Sequence, residues 1–462
     1  MYGMPMAQAL VFLAAVIVLV AAIQWRHFHP FLVIVVVAAV FGFIAGFPTA
    51  ILGRVFGTGF SDMIYSPGLV IVAAALISSI AETTSASDRL LARIDQLRDH
   101  WPGFGQWLGG NSIAAVLGLI AGIGASPASA FALLTPLLRP IGGKTAQQSE
   151  SATLTLALAI SASHGLIVLT PVPIAAAAII DAGWIRVALF GVPLAILTAA
   201  FGAIFSRWRS NAGSALETSA QSYPPPVADK RGGGSALALC LAALVPLLLL
   251  MFQSVGNIPS EPLGGGPTRE LILGVGRPLI LFLAGVGIMI IGQPRQGFGL
   301  IADSGWMARV LGNVAGILLI VCAAGGLQRL CQETGMATLL AEHVLGWHMG
   351  VFGILVPFLV AAVLKTFQGS SLVAAITAAG MTQPMMTPLG LGGTDGKAFA
   401  ALAIGAGAMT MSHVNDEYFW LVADRAGLAP LRGLTAFSIG TLLQGLIAAA
   451  ALLILSLLVG TI

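Results

Sequence analysis

Twelve apolar runs, each close to the length that carries a helix across a bilayer, constrain this chain more than any motif does. A transmembrane helix needs about 20 consecutive apolar residues, fewer where it is broken and shielded by protein. The runs lie at about 7–23, 31–47, 67–81, 108–123, 152–169, 185–205, 236–252, 278–292, 310–327, 347–364, 398–412 and 434–459. Charged side chains make up 8% of the 462 residues, against roughly 25% in soluble domains, and the mean hydropathy is +0.96. A soluble globule and a disordered chain are excluded. The 57 glycines follow no three-residue period, which excludes collagen. Cys240, Cys322 and Cys331 are too few for a disulfide scaffold, stand at no metal-like spacing, and read as small buried hydrophobes. A net charge of +3 gives no reason to expect a nucleic-acid partner. The expected fold class is an all-α integral membrane protein with about 10–12 transmembrane helices.

No Lys or Arg precedes the first run and a second run follows closely, so the first reads as a retained helix rather than a secretory signal. Arg26 follows the first span and Arg89, Arg93 and Arg98 follow the third, whereas Arg54 stands alone after the second. Positive charge favours the cytoplasmic side, which predicts an N-terminus outside. Asp88 to Arg98 (DRLLARIDQLR) alternates charge with Leu and Ile at helical spacing. It suits an interfacial helix on the cytoplasmic surface, or equally a solvated helical loop. The polar stretch 206–235, rich in Pro, Gly and Ser and carrying Arg207, Arg209, Lys230 and Arg231, is expected to be a cytoplasmic linker.

This linker separates two halves, 1–205 and 236–462, that share landmarks in the same order. Glu82-Thr83 faces Glu333-Thr334, Gly124-Ala125-Ser126 faces Gly369-Ser370-Ser371, and Ser163-His164 faces Ser412-His413, all at an offset of about 250 residues. Repeats with an odd number of crossings are inverted, and inverted repeats characterise secondary transporters whose site lies between them. The duplication therefore predicts transport, with two inverted repeats that each carry a re-entrant helical hairpin.

Irregular backbone is tolerated in a membrane only where it is buried in protein or lines a wet cavity, so clusters of Gly, Pro and Ser inside apolar runs mark that cavity. One hairpin is expected at about 122–140, with a small-residue tip at Gly124, Ala125, Ser126, Pro127, Ala128 and Ser129. Its partner is expected at about 365–388, with Gly369, Ser370 and Ser371 at the tip. Hydroxyls and free N–H groups at a helix N-terminus suit a carboxylate; close helix packing is the competing reading of the same residues. Two further clusters are His164 to Pro173, where a span stops at Thr170 and Pro171, and Met411 to Trp420, where Ser412, His413, Asn415, Asp416 and Glu417 crowd together. Ionisable groups at such depth serve as proton carriers or ligands, although His164 alone also fits an interhelical hydrogen bond. Asn111 and Asn313 suit caps or interhelical bonds. Glu82 and Glu333 suit capping or pairing with Arg89 and Arg329, with coupling as the alternative. His27 with His29, and His343 with His348, make no metal site.

At these segments the chain resembles the gluconate permease (gluconate:proton symporter) family of the ion-transporter superfamily, nearly end to end. The resemblance is carried by GSSLVAAITAAG (Gly369 to Gly380), LAIGAGAMTMSHVNDEYFWLV (Leu402 to Val422), FALLTPL (Phe131 to Leu137) and the His-Gly-Leu of His164 to Leu166. It implies a proton-coupled secondary transporter of small hydroxycarboxylates in the inner (plasma) membrane. It also implies a homodimer of elevator type, with a scaffold and a moving transport domain. Two positions depart from the family pattern: Val172 stands where a histidine is usual, and Ala128 where an acidic residue is usual. The first half thereby lacks two ionisable groups, and coupling is expected to rest on the second half or on another ion.

The resulting expectation is a symporter for a small organic anion, such as a sugar acid, driven by protons or alternatively by sodium. Its partners are a small carboxylate and the bilayer; it needs no cofactor and no metal, and it is not an enzyme. Gly124, Ser126, Ser129, Thr170, Pro171, Gly369, Ser370, Ser371 and Asn415 are the candidate substrate ligands, and His164, His413 and Asp416 the candidate proton-coupling groups. A sodium-coupled carrier of a different solute, a uniporter with the same fold, and a membrane-embedded hydrolase using Ser163-His164 or His413 with Asp416 are the competing functions.

Overall fold

The computed structural model describes residues 5–26, 28–100, 110–123, 126–142, 145–168, 170–213, 234–256, 264–293, 297–335, 342 and 352–459. Among them every regular element is helical. In chain order these are α1 (Pro5–Arg26), α2 (Pro30–Ile44), α3 (Thr49–Met63), α4 (Leu69–Thr83), α5 (Ala86–His100), α6 (Gly110–Ala121), α7 (Pro127–Gly142), α8 (Ala146–Leu166), α9 (Pro171–Ile179), α10 (Trp184–Gly213) and α11 (Ala236–Gly256). The second half continues with α12 (Pro267–Val275), α13 (Pro278–Ile291), α14 (Gly297–Ala302), α15 (Ser304–Glu333), α16 (Leu355–Gln368), α17 (Ser371–Thr382), α18 (Thr394–Ala408), α19 (Glu417–Ala426), α20 (Pro430–Gly433) and α21 (Ile439–Val459). Single π-helical turns join α3 to α4 (Ile64–Gly68) and α20 to α21 (Leu434–Ser438).

Among the described residues five stretches are long and apolar enough to cross a membrane: Ala146–Ile179, Trp184–Asn211, Ala236–Gln253, Ser304–Glu333 and Pro430–Val459. The pair α12 and α13, bent by 56°, reaches that length together. Helix starts follow local chemistry. Thr145 and Gln148 form a reciprocal capping box at α8, Asp303 accepts from the Trp306 N–H at α15, and Pro30, Pro171 and Pro278 occupy first turns, where a missing N–H does no harm.

The centre is built from two helices that hide almost every side chain. Residues 151–166 of α8 and 398–408 of α18 are all buried, and most are Ala, Gly, Ser or Thr. Small residues let helix backbones approach closely, which is how association proceeds in lipid, where apolar burial alone gives no preference for helix over lipid. A Cβ placed on Gly405 of α18 would lie 2.0 Å from the Gly165 carbonyl oxygen of α8, so the two backbones touch there. Large apolar side chains face outward instead: Ile185 and Ile204 of α10, Leu237 of α11 and Leu458 of α21 are 84%, 70%, 68% and 78% exposed. Polar side chains join helices at depth. The Gln444 amide of α21 donates to the carbonyls of Leu158 and Thr198, Asn111 of α6 donates to the Ser151 hydroxyl at 2.8 Å, and the Ser163 hydroxyl donates to the Leu119 carbonyl at 2.7 Å.

Three features differ from the sequence expectation. The runs at 108–123 and 347–364 are not full spans: their helices, α6 and α16, are the first arms of hairpins completed by α7 and α17. Each hairpin thus begins earlier than the expected 122–140 and 365–388, because an apolar half-span has the composition of a whole one. α3 is a further helix that the apolar runs missed, since Arg54, Asp62 and three glycines dilute it. It packs on α15 where a Cβ on Gly59 would lie 2.3 Å from the Gly325 carbonyl. The first part of the expected linker, to Gly213, continues α10, while 214–233 lie outside the described residues, as do His27, His343 and His348. Asp88 to Arg98 is helical within α5. Glu333 pairs with Arg329 at 3.0 Å, and Arg89 donates to the Gly234 carbonyl at 2.8 Å.

Candidate functional site

Where α18 ends, Met409 to Asp416 run without regular structure until α19 begins. Asp416 is the cap of α19: its Oδ1 accepts the Tyr418 backbone N–H at 2.9 Å. Its Oδ2 accepts from the Ser412 hydroxyl and from the Lys365 ammonium, the latter at 2.6 Å. Lys365 lies one turn before the end of α16, and its Nζ also donates to the Gly369 carbonyl. The side chains of Lys365 and Asp416 are 3% and 6% exposed, so this is a buried ion pair within a cage of hydrogen bonds.

The loop is pinned against the hairpin from several sides. His413 Nε2 and the Asn415 amide both reach the Thr366 carbonyl, at 2.8 and 3.1 Å. The Ser412 N–H donates to the Thr441 hydroxyl at 3.2 Å, and the Ser412 carbonyl accepts from the Ser438 hydroxyl. Trp420 Nε1 donates back to the Val414 carbonyl at 2.9 Å, and the Tyr418 hydroxyl donates to the Ala157 carbonyl of α8 at 3.0 Å. Gly369, between the two arms, has φ of +80°, and a Cβ there would lie 2.4 Å from the Asn415 carbonyl oxygen. Only glycine meets both the left-handed conformation and that approach.

A cavity of about 20 Å³ opens beside the ion pair, room for about one water. Its lining brings the two halves together: Pro127, Ser161, His164 and Gly165 from the first, Lys365, Ser371, Met409, Ser412, Asp416 and Tyr418 from the second. Pro127 and Ser371 are the first residues of α7 and α17, so two helix N-termini border the cavity beside the Lys365 ammonium. Helix N-termini carry partial positive charge and unpaired N–H groups, which favours an anion.

A whole-chain comparison decides what kind of protein carries this arrangement. The profile of the family described as GntP family permease matches residues 6–458. The chain belongs to the GntP permease family. It is similar to the gluconate permease of Pseudomonas aeruginosa, 27% identical over 425 residues and covering 89% of each chain. It is 24% identical over 449 residues to the D-serine transporter DsdX of Escherichia coli, covering 97% of this chain and 98% of that one. It is 24% identical over 403 residues to the Gnt-II system L-idonate transporter of Escherichia coli, covering 85% and 86%. The protein is a multi-pass membrane permease and not an enzyme.

Of the candidate substrate ligands and coupling groups, His164, Ser371 and Asp416 line the cavity, as do Pro127 of the first hairpin tip and Ser412 of the polar cluster. Ser126 precedes Pro127, and its hydroxyl accepts from the Ser129 N–H at 3.3 Å. Ser129 is buried in α7. The Thr170 hydroxyl donates toward the His164 and Ile167 carbonyls at 2.7 and 2.8 Å, closing the end of α8, and Pro171 opens α9 behind it. The Ser370 hydroxyl caps α17, accepting from the Val373 N–H, and Gly369 and Asn415 form the backbone seam between hairpin and loop. His413 turns away from the cavity, its ring centroid 6.1 Å from that of Phe12. Gly124 lies outside the described residues. Val172 and Ala128, which depart from the family pattern, are packed in the apolar core and do not line the cavity. The sequence analysis assigns no role to Lys365, Ser161 or Tyr418, and names Ser412 only as a member of the polar cluster and of the repeat. Lys365 was findable as the lone charged residue between Leu355 and Thr382.

Proposed function

We propose that this permease is a secondary active symporter for a small organic acid, driven by the proton gradient. The observation that carries this reading is the cavity itself: a buried ammonium and two helix N-termini, drawn from broken helices of both halves, meet where α8 and α18 cross. Such a site attracts one carboxylate, and the hydroxyls of Ser371, Ser412 and Ser161 can serve a polyhydroxy chain. The names of the relatives point the same way. Gluconate, L-idonate and D-serine all carry a carboxylate beside a carbon that bears a hydroxyl or amine.

In this reading Ser126, Ser129, Ser370, Gly369, Pro171, Thr170 and Asn415 hold the framework of the site, and Asp416, His164 and His413 are its titratable groups. The halves act as inverted repeats, with the hairpins on a transport domain that moves as an elevator within a homodimer. The N-terminus lies outside the inner membrane. A cavity of about 20 Å³ is far below the 300–1,000 Å³ typical of small-molecule sites. Loading therefore requires the hairpin tips to part, as alternating access demands.

The test is uptake into proteoliposomes containing the purified protein. An inward proton gradient is expected to drive accumulation of radiolabelled D-gluconate, L-idonate or D-serine above the outside concentration, and a proton ionophore to abolish it. Accumulation that follows a sodium gradient and ignores the ionophore would replace the proton with sodium. Equilibration without accumulation would make the protein a uniporter.

A further inference from the structure

The anion that occupies the Lys365 site in this structure is the protein's own. Asp416 Oδ2 sits 2.6 Å from the ammonium, at the edge of a cavity whose other borders are two helix N-termini and polar side chains, His164 and Tyr418 among them. Two of the three ammonium donors have partners among the described residues, Asp416 and the Gly369 carbonyl. The ammonium pairs directly with one carboxylate, that of Asp416, and the Glu417 carboxyl stands beside both. A second carboxylate entering the same enclosed space would leave the site with an uncompensated negative charge, which a low-dielectric interior does not tolerate; such a group takes up a proton instead.

Resting on the organic-acid reading above, we infer that the substrate carboxylate replaces Asp416 on Lys365, and that Asp416 accepts one proton as it is displaced. The balance closes. Substrate enters as R–COO⁻ and pairs with the Lys365 ammonium, Asp416 goes from carboxylate to carboxylic acid by gaining one H⁺ from solution, and the net charge of the site does not change. Release on the other side runs in reverse: the proton leaves Asp416, and its carboxylate recaptures Lys365. A monocarboxylate of net charge −1, such as a sugar acid, therefore travels with one proton, and its transport is electroneutral. The Ser412 hydroxyl, which already contacts Oδ2, and the Tyr418 N–H at Oδ1 hold Asp416 within reach of Lys365 in both states.

Among the charged groups nearby, Glu417 adjoins the pair: its side chain meets that of Asp416 through a hydrogen bond, interacts with Lys365 and accepts from Gln328 of α15 at 3.2 Å. Glu150 of α8 pairs with Arg432, Lys397 of α18 with Asp181, Asp395 of α18 with Arg186, Arg329 with Glu333 on α15, and Arg425 with Asp424 on α19. His413 lies behind the seam against Thr366 and Phe12. His164 is the other titratable side chain that faces Asp416 across the cavity, together with the Tyr418 phenol.

The experiment uses the purified full-length protein with D-gluconate, L-idonate and D-serine as probes, following binding by thermal shift and proton uptake by an indicator dye in weakly buffered solution. For the wild type, about one proton is expected to be taken up per D-gluconate or L-idonate bound, with affinity falling about tenfold for each pH unit above neutrality, and none per D-serine, whose own ammonium already balances its carboxylate. Asp416→Asn, a permanent stand-in for the neutral acid, is expected to bind without proton uptake and with a flat pH profile. The charge-balanced pair Lys365→Gln/Asp416→Asn leaves no lone buried charge, and is expected to bind at least tenfold more weakly than Asp416→Asn. Wild-type binding of D-gluconate or L-idonate without proton uptake would overturn the inference with no variant needed, as would undiminished binding by the double variant; either result would leave the organic-acid reading standing. Failure of all three probes to shift the wild type would remove that reading and the inference with it.

Discussion

Gly369→Ala tests how tightly the hairpin tip is bound to the loop that carries Asp416. Gly369 has φ of +80° and ψ of −27°, and its added Cβ would meet the Asn415 carbonyl oxygen at 2.4 Å. The left-handed conformation costs a non-glycine residue about 1–2 kcal/mol. Since the obstacle is backbone, it cannot swing away as a side chain would. The Asn415 carbonyl has to withdraw from 2.4 Å to at least 3.0 Å, an overpacking that adds about 1–3 kcal/mol. The expected loss is about 2–5 kcal/mol in all. Gly335 supplies the control: its φ is +66° and nothing lies within 4 Å of a Cβ placed there, so Gly335→Ala carries the conformational cost alone. Thermal unfolding of the purified variants should therefore order them wild type, Gly335→Ala, Gly369→Ala. Carboxylate uptake should fall for Gly369→Ala, because moving Asn415 displaces its neighbour Asp416 from Lys365, and should persist for Gly335→Ala. Equal melting temperatures for the two alanine variants, with uptake intact in both, would refute the close seam.

Gly405→Ala should fail to accumulate as folded protein or melt well below wild type, because its Cβ falls 2.0 Å from the Gly165 carbonyl, whereas Gly380→Ala, with nothing within 4 Å, should match wild type in the same melt. Thr170→Val removes the hydroxyl that serves the buried carbonyls of His164 and Ile167, and a loss of about 1–3 kcal/mol is expected; Thr170→Ser should recover most of it in the same unfolding measurement. Arg432→Gln breaks a pair with Glu150 whose side chains are 22% and 12% exposed, and its effect on melting should stay within about 1 kcal/mol and shrink in high salt.

The sequence alone determined that this is a helical membrane protein, because a bilayer leaves no other way to satisfy the backbone of so many apolar runs. It also marked where helices break. Gly369-Ser370 and Met411 to Asp416 stand out for a local reason: glycine, hydroxyl and carboxylate groups are the ones that stop or cap a helix, and both segments do so. Composition could not separate a span from a hairpin arm, so α6 and α16 read as full crossings, and α3 went unnoticed behind Arg54 and Asp62. Nor could it tell a ligand from a cap. The hydroxyls of Thr170 and Ser370, candidate substrate contacts by sequence, each also bond at their own helix end.

Only the tertiary structure decided that Lys365 meets Asp416, 51 residues away, and that Pro127, His164 and Ser371 border the same space. The physical reason lies in how helices associate in lipid. Partners are chosen by where small residues let backbones touch, as Gly165 and Gly405 do across the middle of the molecule, and that choice belongs to two distant surfaces at once rather than to any single run of residues.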